Sequence, residues 1–163
     1  MLPIDGVPTH EDLAAKMPPA ERLATGPVVM VECFQPIPCD PCYHACPRQA
    51  FRPMADLNAV PEVDYSRCNG CAACVTRCPG LAIFVVDTSR PGEAFITLPY
   101  EFLPLPAPGE AVAGVDRFGR TVCTARVDRV TPGGARNKTA LVRLAVPPEY
   151  AMAVRHFRSV NHG

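Results

Sequence analysis

Eight of the nine cysteines in this 163-residue chain fall in two short runs. The second run reads Cys68-Asn-Gly-Cys71-Ala-Ala-Cys74-Val-Thr-Arg-Cys78-Pro79, a C-x2-C-x2-C-x3-C-P spacing. At that spacing three thiolates wrap one face of an iron–sulfur cubane, while the fourth, held at the following turn, points elsewhere. The small residues Gly70, Ala72 and Ala73 let the backbone approach the sulfides and donate N–H groups to them. Pro79 then turns the chain away from the site. The first run ends in the same way, Cys39-Asp-Pro-Cys42-Tyr-His-Ala-Cys46-Pro47, but Pro36 stands where its first cysteine belongs. Cys33 lies further upstream, giving C-x5-C-x2-C-x3-C-P, and a bulge over Gln35–Ile37 is needed to return it as a displaced ligand.

Other chemistries suit these residues less well. A zinc ribbon holds one tetrahedral ion with two cysteines per knuckle, whereas each run here supplies at least three at tight spacing. Cys123 stands apart, on the apolar face of an alternating stretch with Ala125 and Val127, and reads as a packing residue. His44 lies between two cysteines of the first run and is expected to face solvent or a partner. The remaining histidines, His10, His156 and His162, are too dispersed to suggest a site. No dinucleotide fingerprint, P-loop or nucleophile elbow occurs, so no catalytic residues are assigned.

The bulk composition narrows the setting. Acidic and basic residues balance at 16 each, which gives no reason to expect a nucleic acid or an anionic membrane as partner. No window is apolar enough for a membrane span, and Met1 to Thr9 lacks the pattern of an export signal, so a cytoplasmic location is expected. Thiols there stay reduced, which argues against a disulfide framework. The elements that must position the cysteines are short: a β-rich Val28–Glu32 before the first run, Pro61–Tyr65 entering the second, and Ile83–Val86 after it.

From Val28 to Asp87 the chain resembles the two-cluster bacterial ferredoxins. The resemblance implies an α+β, ferredoxin-like dicluster domain with pseudo-two-fold symmetry, holding two [4Fe–4S] clusters. In that family the fourth cysteine of each run ligates the other run's cluster. Carried over, Cys33, Cys39, Cys42 and Cys78 hold cluster one, and Cys68, Cys71, Cys74 and Cys46 hold cluster two.

Around this core, residues 1–27 form an N-terminal extension with one weak helix over Thr9–Met17, capped by Thr9. It is expected to lie along the cluster domain or a partner. Residues 88–93 read as a linker. Residues 94–163 read as a small β-rich domain, a barrel or sandwich, with strands over Ala94–Leu98, Ala111–Asp116, Thr121–Val130 and Thr139–Val146. A last helix is expected after Pro147-Pro148, with Tyr150, Ala153, Val154 and Phe157 on one face.

The Gly-Pro-Val-Val-Met-Val-Glu-Cys entry, the Cys-x5-Cys spacing and the appended β-domain together resemble something narrower. They are similar to small ferredoxin-like subunits of flavin-dependent dehydrogenase complexes that oxidise amino acids, opines or hydroxyproline-like amines. That resemblance implies a non-catalytic electron-transfer subunit, with FAD or FMN carried only by partner subunits. The alternative is an independent, diffusible dicluster ferredoxin. The first run's prolines, which lack N–H donors, together with Asp40, suggest the more negative cluster potential on that side.

Overall fold

Val28–Val31 (β1) and Ile83–Asp87 (β2) pair antiparallel, with Val28 opposite Val86 and Val31 opposite Ile83. All four residues of β1 are buried, because both faces of this pair are covered. Side chains alternate along a strand with period two. Val29, Val31, Ile83 and Val85 accordingly pack with the cysteine runs, and Met30, Phe84 and Val86 enter a second core on the opposite side. Such two-sided burial is why both segments read as unbroken apolar runs.

The computed structural model describes residues 2–159; His162 lies outside them. Five further strands follow: Ala94–Tyr100 (β3), Ala111–Val115 (β4), Thr121–Thr131 (β5), Ala140–Val146 (β6) and His156–Ser159 (β7). The seven strands form one antiparallel sheet in the order β1-β2-β3-β6-β5-β4-β7. Asp87 already pairs with Phe95, so residues 88–93 form the turn of a hairpin rather than a linker. The strands expected to build a separate domain instead extend the sheet that β1 and β2 begin. The two edges also share one core, where Met30 of β1 packs in the same cluster as Val112 of β4 and Phe157 of β7.

The helix expected after Pro147-Pro148 is one 3-10 turn, Pro148–Tyr150, and the chain then enters β7. Val154 and Phe157 do enter the core, but a turn followed by a strand meets their spacing as well as a helix does. The open edge of β4 decides between them, pairing Val112 with Ser159 and Val115 with His156 and satisfying backbone groups on both strands.

The N-terminal extension carries three short helices, Leu2–Asp5 (α1), His10–Ala14 (α2) and Ala20–Leu23 (α3). Thr9 caps α2 in a reciprocal box with Asp12, and the helix stops short of Met17. The segment lies along the cysteine-bearing region. Tyr65 Oη donates to Lys16 O at 2.7 Å, Lys16 Nζ to Pro61 O at 3.3 Å, and Leu13 and Leu23 pack on the sheet core.

One buried ion cluster joins the edges of the sheet. Glu32, immediately after β1, accepts from Nε and Nη2 of Arg117, at 2.8 and 2.6 Å, and from Arg155 Nε at 2.5 Å. Arg155 spends its other donors on Ala151 O, Val154 O and Met30 Sδ, and its guanidinium lies over the Phe84 ring. Burial pushes the Arg155 guanidinium down to about 10, with the Glu32 charge opposing, so it stays protonated at neutral pH. Burial also opposes the Glu32 charge, but the bonds and charges of Arg117 and Arg155 outweigh it and lower the carboxyl below its ordinary range.

Replacing one member of a buried ion cluster leaves the others unpaired and costs about 3–5 kcal/mol. Glu32→Gln is therefore expected to lower stability by about that much in denaturant unfolding of the holoprotein, and a loss under about 1 kcal/mol would contradict the role. Because the folded carboxyl is depressed, its contribution is complete above the ordinary glutamate range and fades as pH falls through the lowered value. The variant's deficit should shrink over that acidic window.

Candidate functional site

The two cysteine runs adopt closely related conformations, one after the other. In the first, Cys42 lies in Pro41–Ala45 (α4) and Cys46 follows its end; in the second, Cys74 precedes the 3-10 turn Val75–Arg77 and Cys78 follows it. After each terminal Cys-Pro the chain takes a left-handed residue, Gln49 at φ 49° and Leu81 at φ 52°. That turn brings a backbone N–H onto the preceding sulfur: Ala50 N donates to Cys46 Sγ at 3.3 Å and Ala82 N to Cys78 Sγ at 3.4 Å. A second short antiparallel contact, Phe51 opposite Val63, stands where the Pro61–Tyr65 strand is expected and mirrors the β1–β2 pair.

This local repetition crosses the runs. One cavity is lined by Cys33, Cys39 and Cys42 of the first run and by Cys78 of the second. The other is lined by Cys68, Cys71 and Cys74 of the second run and by Cys46 of the first. Electrostatics follow the same grouping. Burial raises the Cys33, Cys39 and Cys42 thiols, the last to about 11, and in all three Cys78 adds to the rise. Cys74 is pushed up to about 12 by burial, with Cys68, Cys71 and Cys46 contributing. Among the described residues no three potential ligands are grouped closely enough for a single metal ion. Each quartet instead surrounds a void. Four sulfurs spaced around a void, with N–H donors aimed at them, fit a [4Fe–4S] cube, which the thiolates would ligate once deprotonated.

Cys33 is within reach of its cavity because the chain over Phe34–Pro38 loops outward, leaving Ile37 exposed, and Cys39 N is held on Leu57 O at 3.1 Å. In the second run the approach to the sulfurs needs two left-handed residues, Gly70 at φ 69° and Ala72 at φ 63°. Both Gly70 N and Val29 N donate to Cys68 Sγ at 3.4 Å. A Cβ on Gly70 would stand 2.6 Å from Pro27 Cβ, so the loop and the entry to β1 are in direct contact there.

His44 is exposed and bonds Asp40 at 3.0 Å rather than lining either cavity. Cys123 lies opposite Gly114 in the sheet, partly buried against the core and away from both quartets. Two partners of the site have no signature in the cysteine motifs. Arg22 of α3 donates to Cys68 O at 2.7 Å and also bonds Tyr65 O and Pro27 O, clamping the extension onto the second run. The Lys16 charge acts on Cys33, opposing the rise of its thiol.

Residues 36–82 match a family described as the 4Fe-4S dicluster domain. The match begins at Pro36 and leaves out Cys33, the residue that the fold returns to the first cavity. The chain is 42% identical over 56 residues to the ferredoxin-type protein NapF of Haemophilus influenzae, across 33% of this chain and 32% of that protein. It is 38% identical over 54 residues to pyruvate synthase subunit PorD of Methanocaldococcus jannaschii, across 33% of this chain and 60% of the subunit. The chain thus spans about a third of one of these curated relatives and three fifths of the other. No solved structure matches it. The chain carries a ferredoxin-type 4Fe-4S dicluster domain, whose general task is electron transfer.

Gly70→Ala places a methyl group against Pro27 in a left-handed backbone, strain worth about 1–3 kcal/mol. It is expected to lower the iron content by about one cluster's worth, whereas Cys123→Ser should leave iron content unchanged. Full iron in the first variant, or loss in the second, would show that the cavity geometry is misread.

Proposed function

We propose that this dicluster ferredoxin domain serves as the electron-transfer subunit of a flavin-dependent dehydrogenase complex. Cys33, Cys39, Cys42 and Cys78 hold one [4Fe–4S] cluster, and Cys68, Cys71, Cys74 and Cys46 hold the other. The observation that carries the ligand assignment is the crossing of the two runs into two four-cysteine cavities. When bound, each cluster supplies a one-electron centre. The protein's own residues set where those centres sit, how dry they are and what charge faces them. FAD or FMN and the substrate chemistry belong to partner subunits, a reading that rests on the Cys-x5-Cys entry and the appended strands. Similarity to a protein that is itself named a subunit supports membership in a complex. Among the described residues no helix is long and apolar enough to cross a membrane.

The residues around the cavities bias the two centres differently. The sequence suggests that three prolines deprive the first site of donors, but the difference is smaller in the structure. Backbone N–H groups of Gln35, Tyr43 and Ala82 act on Cys33, Cys42 and Cys78. Charge is the stronger contrast. Arg48 lines the second cavity, no charged residue among the described ones lines the first, and Asp40 acts on Cys39. Lys16 near Cys33 offsets part of the Asp40 effect. The first centre is therefore the more negative, and an electron rests preferentially at the second.

A spectroscopically monitored redox titration tests this order. Two one-electron couples are expected, and Asp40→Asn should raise the lower one by on the order of 30 mV while sparing the higher. A shift confined to the higher couple would reverse the order, and a single couple would contradict the predicted difference in potential between the two centres.

A further inference from the structure

Among the eight cavity-lining cysteines, only Cys71 is exposed. It stands on one wall of a groove about 200 Å³ in volume, whose floor is formed by β2 and β3, including Asp87 and Phe95. The opposite wall carries Arg129 and Thr131 of β5 and Arg143 of β6. Arg143 is occupied, paired with Asp128 and lying over the Phe95 ring at 4.8 Å. Asp87, the one carboxylate among the described residues of the groove, accepts from Ser89. Arg129 is exposed and has no ion pair among the described residues. A guanidinium left free across from the exposed cysteine is a charge without a partner among the described residues.

The basic character extends past the groove. Asn137 Nδ2 donates to Thr76 O at 2.7 Å and fastens the loop 132–138 beside the second cysteine run, with Arg136 and Lys138 exposed on it. Arg77 is exposed on the same turn as Thr76, and Arg48 lines the second cavity. The chain as a whole is neutral, so this concentration of cations is local. Clustered charge steers encounter and fixes the register of a charged partner more than it adds affinity.

We propose that this groove is the docking surface for an acidic segment of an electron-transfer partner, with Arg129 as its carboxylate-binding residue and Cys71 as the edge of the redox site it faces. The inference rests on the second quartet holding a cluster. It also goes beyond that reading, because it assigns the face at which a partner approaches and the charge that partner carries.

The test uses the holoprotein and a dye-labelled hexaglutamate peptide, with binding read by fluorescence anisotropy at low ionic strength. Arg129→Glu should weaken binding about five-fold or more, and Arg129→Lys should retain most of it. Arg120→Glu makes the same charge change roughly 30 Å away along β5 and should leave affinity unchanged. Added salt should abolish the difference as the screening length falls. Equal loss in the Arg129→Glu and Arg120→Glu variants, or tighter binding of hexalysine than of hexaglutamate, would overturn the assignment. Iron and sulfide content measured on each variant separates failure of the docking surface from failure of the cluster reading.

Discussion

Everything in this protein depends on two strands that are buried on both faces. The alternation of β1 and β2 sends Val29, Val31, Ile83 and Val85 to the cysteine side and Met30, Phe84 and Val86 to the core of the curled sheet. A one-residue slip in their register would exchange the two sets, so both cores enforce the same pairing. The two cysteine runs sit between those strands in sequence, and the paired strands line both cavities, Val29 and Val85 the second and Val31 and Ile83 the first. The C-terminal strands are thus structural partners of the redox region. They complete the second core, and through Arg117 and Arg155 they neutralise Glu32, which directly precedes Cys33.

The same arrangement sets the chemistry. Cys42 and Cys74 are buried among other thiols, which pushes both well above the ordinary cysteine range. Without a cation they hold protons, and binding iron must displace them, so cluster assembly and the final packing of the runs are coupled. Gly70 against Pro27 and Arg22 on Cys68 O show how closely the polypeptide is fitted around the second quartet. The first quartet is fitted by a loop excursion over Phe34–Pro38 instead, and the dicluster family match begins within that excursion, at Pro36, leaving Cys33 outside it.

How much of this is legible in the sequence follows the range of the interactions. Cysteine spacing is a local signal, and the two runs, their terminal Cys-Pro turns and the flanking strands are all readable from it. Alternation locates β4, β5 and β6 because each presents one face to a core. The pairing partners of those strands are not local. The turn at residues 88–93 reads as a linker because its composition is the same whether the chain goes on to pair or to separate; only Asp87 opposite Phe95 decides it. Tyr150, Val154 and Phe157 carry helical spacing, yet the unpaired edge of β4, invisible in sequence, draws His156–Ser159 into a strand. Glu32, Arg117 and Arg155 are far apart along the chain, and a lone charge at the end of an apolar run is the only trace they leave.

Two crossed quartets are proposed to hold two [4Fe–4S] clusters. The most direct measurement is iron and acid-labile sulfide per chain in protein purified without oxygen. About eight of each are expected. About four of each would mean that Cys33 does not complete the first quartet, and zinc in place of iron would rule out iron–sulfur clusters at both quartets.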